Sequence, residues 1–268
     1  DAEMTRLALV AGRGSLPAAL VAELPERPYI CALDGFAPEG LTPDLSFRIE
    51  RLVPFLHHLT DQGITRVAFA GAVSRPRLDP SLFDAATAQL VPHLMAAFAA
   101  GDDATLRAIL ALFEDSGIAV EGVETLAPRL LPQAGLLAGV LPPQAEADAA
   151  RAEAIVAALG AVDVGQGCVV VGGLCLGVEA LPGTDQMLAQ VASLPQSMRP
   201  KGQGLFYKAA KPNQDRRVDL PTIGPATLRG VAEAGLSGLA FQAGSVICLD
   251  LPQMQSIALE TGLFLWAR

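Results

Sequence analysis

Two short apolar runs that each end in a glycine turn constrain the fold of this chain most. The first, Arg6 to Ala11 (RLALVA), is followed by the turn GRGSLP and a helix-like run to about Leu24. The second, Arg66 to Ala70 (RVAFA), is followed by the turn GAVSRP. Short apolar runs bounded by glycine are typical of buried strands. Because such runs alternate with helix-like segments in the first half of the chain, we predict a parallel α/β sheet there.

The first glycine turn also has a functional interpretation. A strand, a glycine turn and a helix in succession point backbone N–H groups at a phosphate. Gly12, Gly14 and Ser15 are therefore candidate substrate contacts, and Gly71 joins them because both turns lie at the carboxyl edge of the predicted sheet. The motif lacks the third glycine of the dinucleotide fingerprint. A plain βα turn with Ser15 as the helix N-cap explains it equally well.

The pattern changes in the second half of the chain. Two apolar runs, Cys168 to Val171 and Leu174 to Val178, flank a Gly-Gly pair and predict a β-hairpin. Residues 133–143 are rich in proline and glycine and poor in charge, which favours a linker. We predict a Rossmann-like N-terminal domain (residues 1–132), that linker, and a mixed-sheet α/β catalytic domain (residues 144–268). The active site is expected in the cleft between the two domains.

Composition restricts the class of protein. Of 268 residues, 51% are hydrophobic and 18% are charged, so a large core is expected and disorder is not. The net charge of -9 argues against nucleic acid as a partner, since that needs a basic face. No signal peptide is visible, and the longest apolar stretch is too short for a membrane span of roughly 20 residues. We expect a cytoplasmic protein.

The spacing of the cysteines agrees with a cytoplasmic location. All four lie in apolar runs, without CxxC spacing or a histidine cluster: Cys31, Cys168, Cys175 and Cys248. This pattern predicts buried thiols in a reducing compartment, with neither a disulfide framework nor a zinc site.

The densest run of charge is Lys208 to Thr227, KAAKPNQDRRVDLPTIGPAT. Three prolines prevent it from forming one continuous helix. Carboxylates set among cations on a proline-stiffened loop suit metal-assisted phosphate chemistry. A charged surface loop without a ligand is the simpler alternative.

Candidate residues follow from this run and from the hairpin before it. Asp219 and Asp215 are the first candidates for a metal site and for catalysis, with Lys211 as a third catalytic group. Glu179 and Asp185 are further candidate metal ligands, since they lie where the hairpin ends and a helix begins. Either Thr184 or Asp185 is expected to be the N-cap of that helix.

The remaining candidates would bind the substrate. Lys208 and Lys211 would bind phosphate oxygens as point charges, and Arg216 would bind them through two N–H groups. Gln214 and Thr222 would position water or a phosphate oxygen.

Six motifs in this order closely resemble one protein family. They are LALVAGRGSLP, GAVSRP, GDDATLR, GQGCVVVGG, GVEALPGTDQML and KAAKPNQDRRVDLPTIGPAT. The chain resembles, over nearly its whole length, the I-type UDP-2,3-diacylglucosamine pyrophosphatases of bacterial lipid A biosynthesis. The resemblance implies two domains with the lipid bound at their junction, and it places the catalytic aspartate at Asp219.

The resemblance also implies a reaction. UDP-2,3-diacylglucosamine is hydrolysed to UMP and 2,3-diacylglucosamine 1-phosphate (lipid X), with Mg²⁺ as cofactor and attack of water at the β-phosphorus. It implies transient, peripheral contact with the inner face of the inner membrane. The sequence leaves a homodimer open. Two alternatives of other classes also stay open: a nucleotide-sugar transferase or epimerase, and a carrier of lipid or nucleotide without catalysis.

Overall fold

The computed structural model describes residues 6–74 and 77–268. Arg75 and Pro76, which end the GAVSRP motif, lie outside the described residues. The chain divides into two compact units. The first runs up to Pro128 and also takes in Asp215–Asp219; the second comprises Arg129–Gln214 and Leu220–Arg268.

A five-stranded sheet organises the first unit, and every paired strand in it is parallel. Its strands are β1 (Arg6–Ala11), β2 (Tyr29–Leu33), β3 (Leu45–Phe47), β4 (Ile64–Ala70) and β5 (Ala119–Val120). Its helices are α1 (Leu16–Glu23), α2 (Leu52–Asp61), α3 (Ala85–Ala100), α4 (Asp102–Asp115) and α5 (Val123–Leu126). The strand order is β3-β2-β1-β4-β5, so the order reverses beside β1. The predicted Rossmann-like parallel sheet is confirmed.

The core of the first unit follows from its apolar patterns. The central strand β1 is buried from Leu7 to Ala11, as a continuous apolar run between two parallel neighbours requires. Helix α2 buries one face, on which Phe55 stacks on Phe47 with ring centroids 4.0 Å apart. Strand β3 was not predicted, because its alternation of apolar and polar residues extends over only three positions.

A six-stranded mixed sheet organises the second unit, in the order β6-β13-β11-β9-β7-β8. Its strands are β6 (Gly135–Ala138), β7 (Gly167–Val171), β8 (Leu174–Val178), β9 (Leu205–Lys208), β11 (Gly238–Phe241) and β13 (Phe264–Ala267). A separate parallel pair consists of β10 (Thr222–Ile223) and β12 (Ile247–Cys248). The helices are α6 (Ala145–Ala161), α7 (Gly183–Ala192), α8 (Pro225–Glu233) and α9 (Leu251–Thr261). The mixed sheet and the β7–β8 hairpin are confirmed.

Both faces of the mixed sheet are covered. Ala145, Ala149, Ala152 and Val156 form one stripe of α6, which packs on the face that carries Leu205 and Tyr207 of β9. The apolar sides of α7, α8 and α9 pack on the opposite face, which carries Phe206. Successive strand residues point to opposite faces. The side chain after Tyr207, that of Lys208, therefore points to the face covered by α7.

Residues 133–143, predicted as a linker, contain the edge strand β6. It pairs antiparallel with β13, Leu136 opposite Trp266. Gly135 is the first residue of this short strand, and Gly139, with a φ of +76°, directly follows it. The glycines that favoured a linker thus lie at the two ends of a strand.

Three of the cysteines are buried as predicted, and burial raises the pKa of Cys31 and Cys248 to about 12. The prediction is wrong for Cys175, which is exposed because β8 is an edge strand with one face to solvent. Among the described residues, none of the helices has the length and apolar character needed to cross a membrane.

Candidate functional site

Strand β9 ends on a buried lysine that contacts two polar side chains. The Lys208 ammonium donates to the Thr184 hydroxyl at 2.7 Å and lies 3.4 Å from Oε2 of Glu179. The Thr184 hydroxyl in turn donates to the same Glu179 oxygen at 2.6 Å. Lys208 is 7% exposed and Glu179 is 8% exposed. We call Lys208, Thr184 and Glu179 the buried cation cluster.

Each member of the cluster is placed by the end of a regular element. Lys208 is the last residue of β9, and it lies on the face covered by α7. Glu179 directly follows β8, and its backbone N–H donates to Gly167 at the start of β7. Thr184 is the second residue of α7. A buried charge is costly unless it is paired and hydrogen-bonded, and here the opposite charge and the hydroxyl supply both.

The contacts within the cluster do not use every donor of the Lys208 ammonium. An ammonium carries three N–H donors. Thr184 takes one of them and Glu179 lies near a second, which leaves one donor for an anion. In surroundings that exclude water, a fixed cation stabilises negative charge far more than it does in solvent.

Glu179, a candidate metal ligand, has the ammonium group of Lys208 as its cationic partner in the structure. Thr184 does not cap α7, and neither does Asp185: the N-cap position is Pro182, without a side-chain cap. That prediction was wrong because Thr184 already lies inside the first turn, where its hydroxyl reaches the charged pair.

Three further candidates lie in the second unit. Lys211 pairs with Asp163 at 2.6 Å on the surface. Gln214 accepts a hydrogen bond at its side-chain oxygen from Gln166 at 3.0 Å, and its Nε2 is buried without a partner among the described residues. Thr222 lies in β10, opposite Ile247. Asp163 lies in no quoted motif and was not predicted; Gln166 lies in the GQGCVVVGG motif but was not singled out as a site residue.

The segment Asp215–Asp219 groups with the first unit, where its arginines form ion pairs. Arg217 donates to Glu114 at 2.6 Å and to Oδ2 of Asp215 at 2.8 Å. Arg216 donates to one oxygen of Glu124 through Nε at 3.0 Å and through Nη2 at 2.8 Å. Hydrogen bonds from Arg217 hold the pKa of Asp215 below its usual range, and the same pair raises the pKa of Arg217.

Packing fixes the backbone of this segment as well. Val218 is partly buried and packs against the hydrophobic core of the first unit. The Cα of Arg217 lies so close to Gly122 that a Cβ on that glycine would come within 2.9 Å of it. The arginines therefore serve to anchor the segment; the phosphate contact of Arg216 stays a prediction.

Asp219 ends the segment with an exposed side chain. Its backbone N–H donates to the Asp215 carbonyl, which closes the turn. Its carboxylate accepts no hydrogen bond from the rest of the described chain, so it is open to a ligand.

Asp185 is likewise exposed. The described residues contain no cluster of three or more metal-ligating side chains. These residues fit a Mg²⁺ ion only if one or two carboxylates hold it together with substrate phosphates.

The glycine turns of the first unit pair with each other. Arg13 and Ala72 exchange backbone hydrogen bonds of 2.9 Å, which joins the turns after β1 and β4. A Cβ at Gly12 would come within 2.6 Å of the Ala72 carbonyl, and one at Gly71 equally close to the Gly12 carbonyl. The close approach of the two turns thus requires both glycines.

Gly14 and Ser15 lie beyond that contact. Gly14 has a φ of +92°, and a Cβ there would meet open space. Ser15 is at the N-cap of α1 and is exposed, and its hydroxyl makes no capping bond. Of the four predicted contacts in the first unit, these two are open to a ligand.

Comparison with known proteins covers both units. Residues 6–130 match the family model for the LpxI N-terminal domain, and residues 133–266 match that for the LpxI C-terminal domain. The chain is 39% identical over 271 residues to UDP-2,3-diacylglucosamine pyrophosphatase LpxI of Caulobacter vibrioides. That alignment spans 97% of this chain and 96% of the relative. With both family domains present in order and this likeness along the whole length, the chain belongs to the LpxI family.

Proposed function

We propose that this protein hydrolyses the pyrophosphate bond of UDP-2,3-diacylglucosamine, releasing UMP and 2,3-diacylglucosamine 1-phosphate in lipid A biosynthesis. The observation that carries the proposal is the 39% identity, over almost the whole chain, to a pyrophosphatase named for that substrate. The same likeness favours hydrolysis over the transferase, epimerase and carrier alternatives.

The buried cation cluster gives the proposal a chemical basis. A pyrophosphate carries negative charge that repels an incoming nucleophile, and a fixed cation offsets that repulsion. Lys208 donates its remaining N–H to a phosphate oxygen, and Lys211 lies three residues further along the same chain. Gln214 and Thr222 position the phosphate or the attacking water, and Gly14 and Ser15 contact the nucleotide side.

In the proposed reaction, the oxygen of a water molecule bonds to the β-phosphorus. The bond from that phosphorus to the bridging oxygen breaks, and the bridging oxygen leaves with UMP. One proton of the water is released to solvent. The new oxygen therefore appears in the sugar 1-phosphate.

We propose Mg²⁺ as the cofactor, with Asp219 as its first protein ligand. When bound, the ion neutralises phosphate charge and polarises a P–O bond. Asp219 suits this role because its carboxylate is exposed and accepts no hydrogen bond among the described residues. Asp215 is the second candidate; its oxygens already accept hydrogen bonds from Arg217. Metal roles for Glu179 and Asp185 stay predictions of the sequence.

The substrate implies where the protein works. Its acyl chains reside in the inner membrane, so we propose transient peripheral contact with the cytoplasmic face of that membrane. Whether two copies of the chain form a homodimer is a separate prediction, which light scattering of the purified protein checks.

Hydrolysis in oxygen-18 water tests the proposal. Purified protein with Mg²⁺ and UDP-2,3-diacylglucosamine is expected to release UMP and to place oxygen-18 in the lipid phosphate. Incubation without protein, and incubation with a chelator followed by Mg²⁺, are the controls. Unchanged substrate would contradict the activity. Oxygen-18 found in UMP would contradict attack at the β-phosphorus.

A further inference from the structure

We propose that Thr184 is a positioning residue for Lys208: its hydroxyl sets the direction in which the ammonium donates to the substrate. The inference rests on the proposed function for its substrate. Its evidence is the geometry of the buried cation cluster.

The hydroxyl is the nearest polar contact of both charged groups. Thr184 Oγ1 lies 2.7 Å from the ammonium and 2.6 Å from the carboxylate, whereas the two charged groups lie 3.4 Å apart. Charge-assisted N–H···O bonds are about 2.7–2.9 Å long. The ammonium is thus oriented by the hydroxyl, and Glu179 acts on it mainly through charge.

The direction of each hydrogen bond is fixed by chemistry. An ammonium has no acceptor, and an ionised carboxylate has no donor. The single hydroxyl hydrogen must therefore go to Glu179, and the hydroxyl lone pairs must accept from Lys208. Only a side chain that both donates and accepts can fill this place.

Thr184 holds that place with little freedom. It lies in the first turn of α7, and the apolar side of this helix packs into the core through Met187, Leu188 and Val191. A β-branched side chain in a helix has few χ1 rotamers. The hydroxyl therefore stays in line with Lys208, whose own long side chain has many rotamers in solution.

The test compares Thr184→Val with Thr184→Ser. Valine keeps the shape and loses the hydroxyl, and serine keeps the hydroxyl. We expect Thr184→Val to lower kcat about 10- to 100-fold, which corresponds to the loss of one hydrogen bond to a charged group. KM should stay near the wild-type value, because the oriented donor acts on charge that develops in the transition state. Thr184→Ser should recover most of kcat.

Two further variants separate positioning from folding. Thr261→Val is the matched control, because it removes one threonine hydroxyl bond from α9 in the same unit and should leave kcat unchanged. Thr184→Val is also measured in a Lys208→Gln background, where it should cause no further loss. Thermal melting establishes that each variant is folded, and Thr184→Ala replaces Thr184→Val if valine does not fit.

The outcomes are distinct. Wild-type protein that releases no UMP contradicts the proposed function, whatever the variants do. An active wild type with equally active, folded Thr184→Val and Thr184→Ala overturns the role of Thr184. An equal loss in the Lys208→Gln background also overturns it, because Thr184 would then act without Lys208.

Discussion

Two regions of one charged stretch differ in burial and in partners, although few residues separate them. Lys208 is buried in the second unit, where a hydroxyl and one carboxylate hold it. Asp215–Asp219 groups with the first unit, where partly exposed arginines pair with Glu114, Glu124 and Asp215. Exposed ion pairs contribute little to the free energy of folding and mainly hold their side chains in place. A buried cation, in contrast, is typical of a site that uses its charge. We therefore propose that the arginines anchor their segment and that Lys208 binds the anion.

The largest effect is expected at the end of the anchored segment. Asp219→Ala should lower kcat by about two to four orders of magnitude, since it removes the open carboxylate proposed for metal binding and catalysis. Substrate binding and the melting temperature should change little, because the side chain is exposed. Steady-state UMP release and calorimetric binding of the substrate measure this. Asp61→Ala, at the exposed end of α2, is the control; a folded Asp219→Ala enzyme with near-normal turnover would exclude the assignment.

A moderate effect on stability is expected from Arg217→Gln. The pair with Asp215 is only partly exposed, so its loss should lower the free energy of unfolding by about 1 kcal/mol at neutral pH. Urea unfolding of both proteins measures it, with Arg229→Gln on the exposed face of α8 as the control. An unchanged free energy of unfolding would mean that Arg217 does not anchor the segment.

The same variant has a pH signature. The folded pKa of Asp215 lies below its unfolded value because of Arg217. That stabilisation is present above the unfolded pKa of about 3.9 and is lost as the pH falls through the folded pKa. The difference in free energy of unfolding between wild type and Arg217→Gln should therefore shrink below about pH 4. If that difference stays constant from pH 7 to pH 2, Arg217 stabilises the protein through packing and not through charge.

The smallest effect is expected at the surface pair of Lys211. Asp163 has a φ of +57°, which asparagine adopts readily, so Asp163→Asn removes charge without backbone strain. Because Asp163 is 70% exposed, we expect the free energy of unfolding to change by less than about 0.5 kcal/mol. Urea unfolding checks this, and wild type in high salt is the control. A loss above 1 kcal/mol would show that this pair is more than a surface contact.

Much of the fold was predictable, because it follows from local patterns. Apolar runs that end in glycine predicted β1 and β4, and the Gly-Gly pair predicted the β7–β8 hairpin. Strand β3 is too short for a pattern, and β6 exists only through pairing with β13, more than a hundred residues away in sequence. Such pairing depends on tertiary contacts that local composition does not carry.

The sequence pointed to two residues of the buried cation cluster, and it did not predict that they contact each other. Lys208 and Glu179 were both singled out, for different roles, although 29 residues separate them. The sequence offers Thr184 or Asp185 as the cap of α7, because threonine and aspartate are favoured at helix N-caps. Val218 is a single apolar residue within a charged run, and this was the sequence signal that the segment packs against a core. The core cluster on which it packs consists of residues between Ala8 and Val120, far away in the sequence.

The most direct test of the central claim is kcat for Lys208→Gln on UDP-2,3-diacylglucosamine. Glutamine is polar but carries no charge, and Lys201→Gln, which changes an exposed lysine before β9, is the matched control. We expect a folded Lys208→Gln protein to lose about two to three orders of magnitude in kcat, as is typical when a fixed electrostatic group is removed, and Lys201→Gln to match wild type. A folded Lys208→Gln enzyme with near wild-type kcat would contradict the assignment of the buried cation to the pyrophosphate.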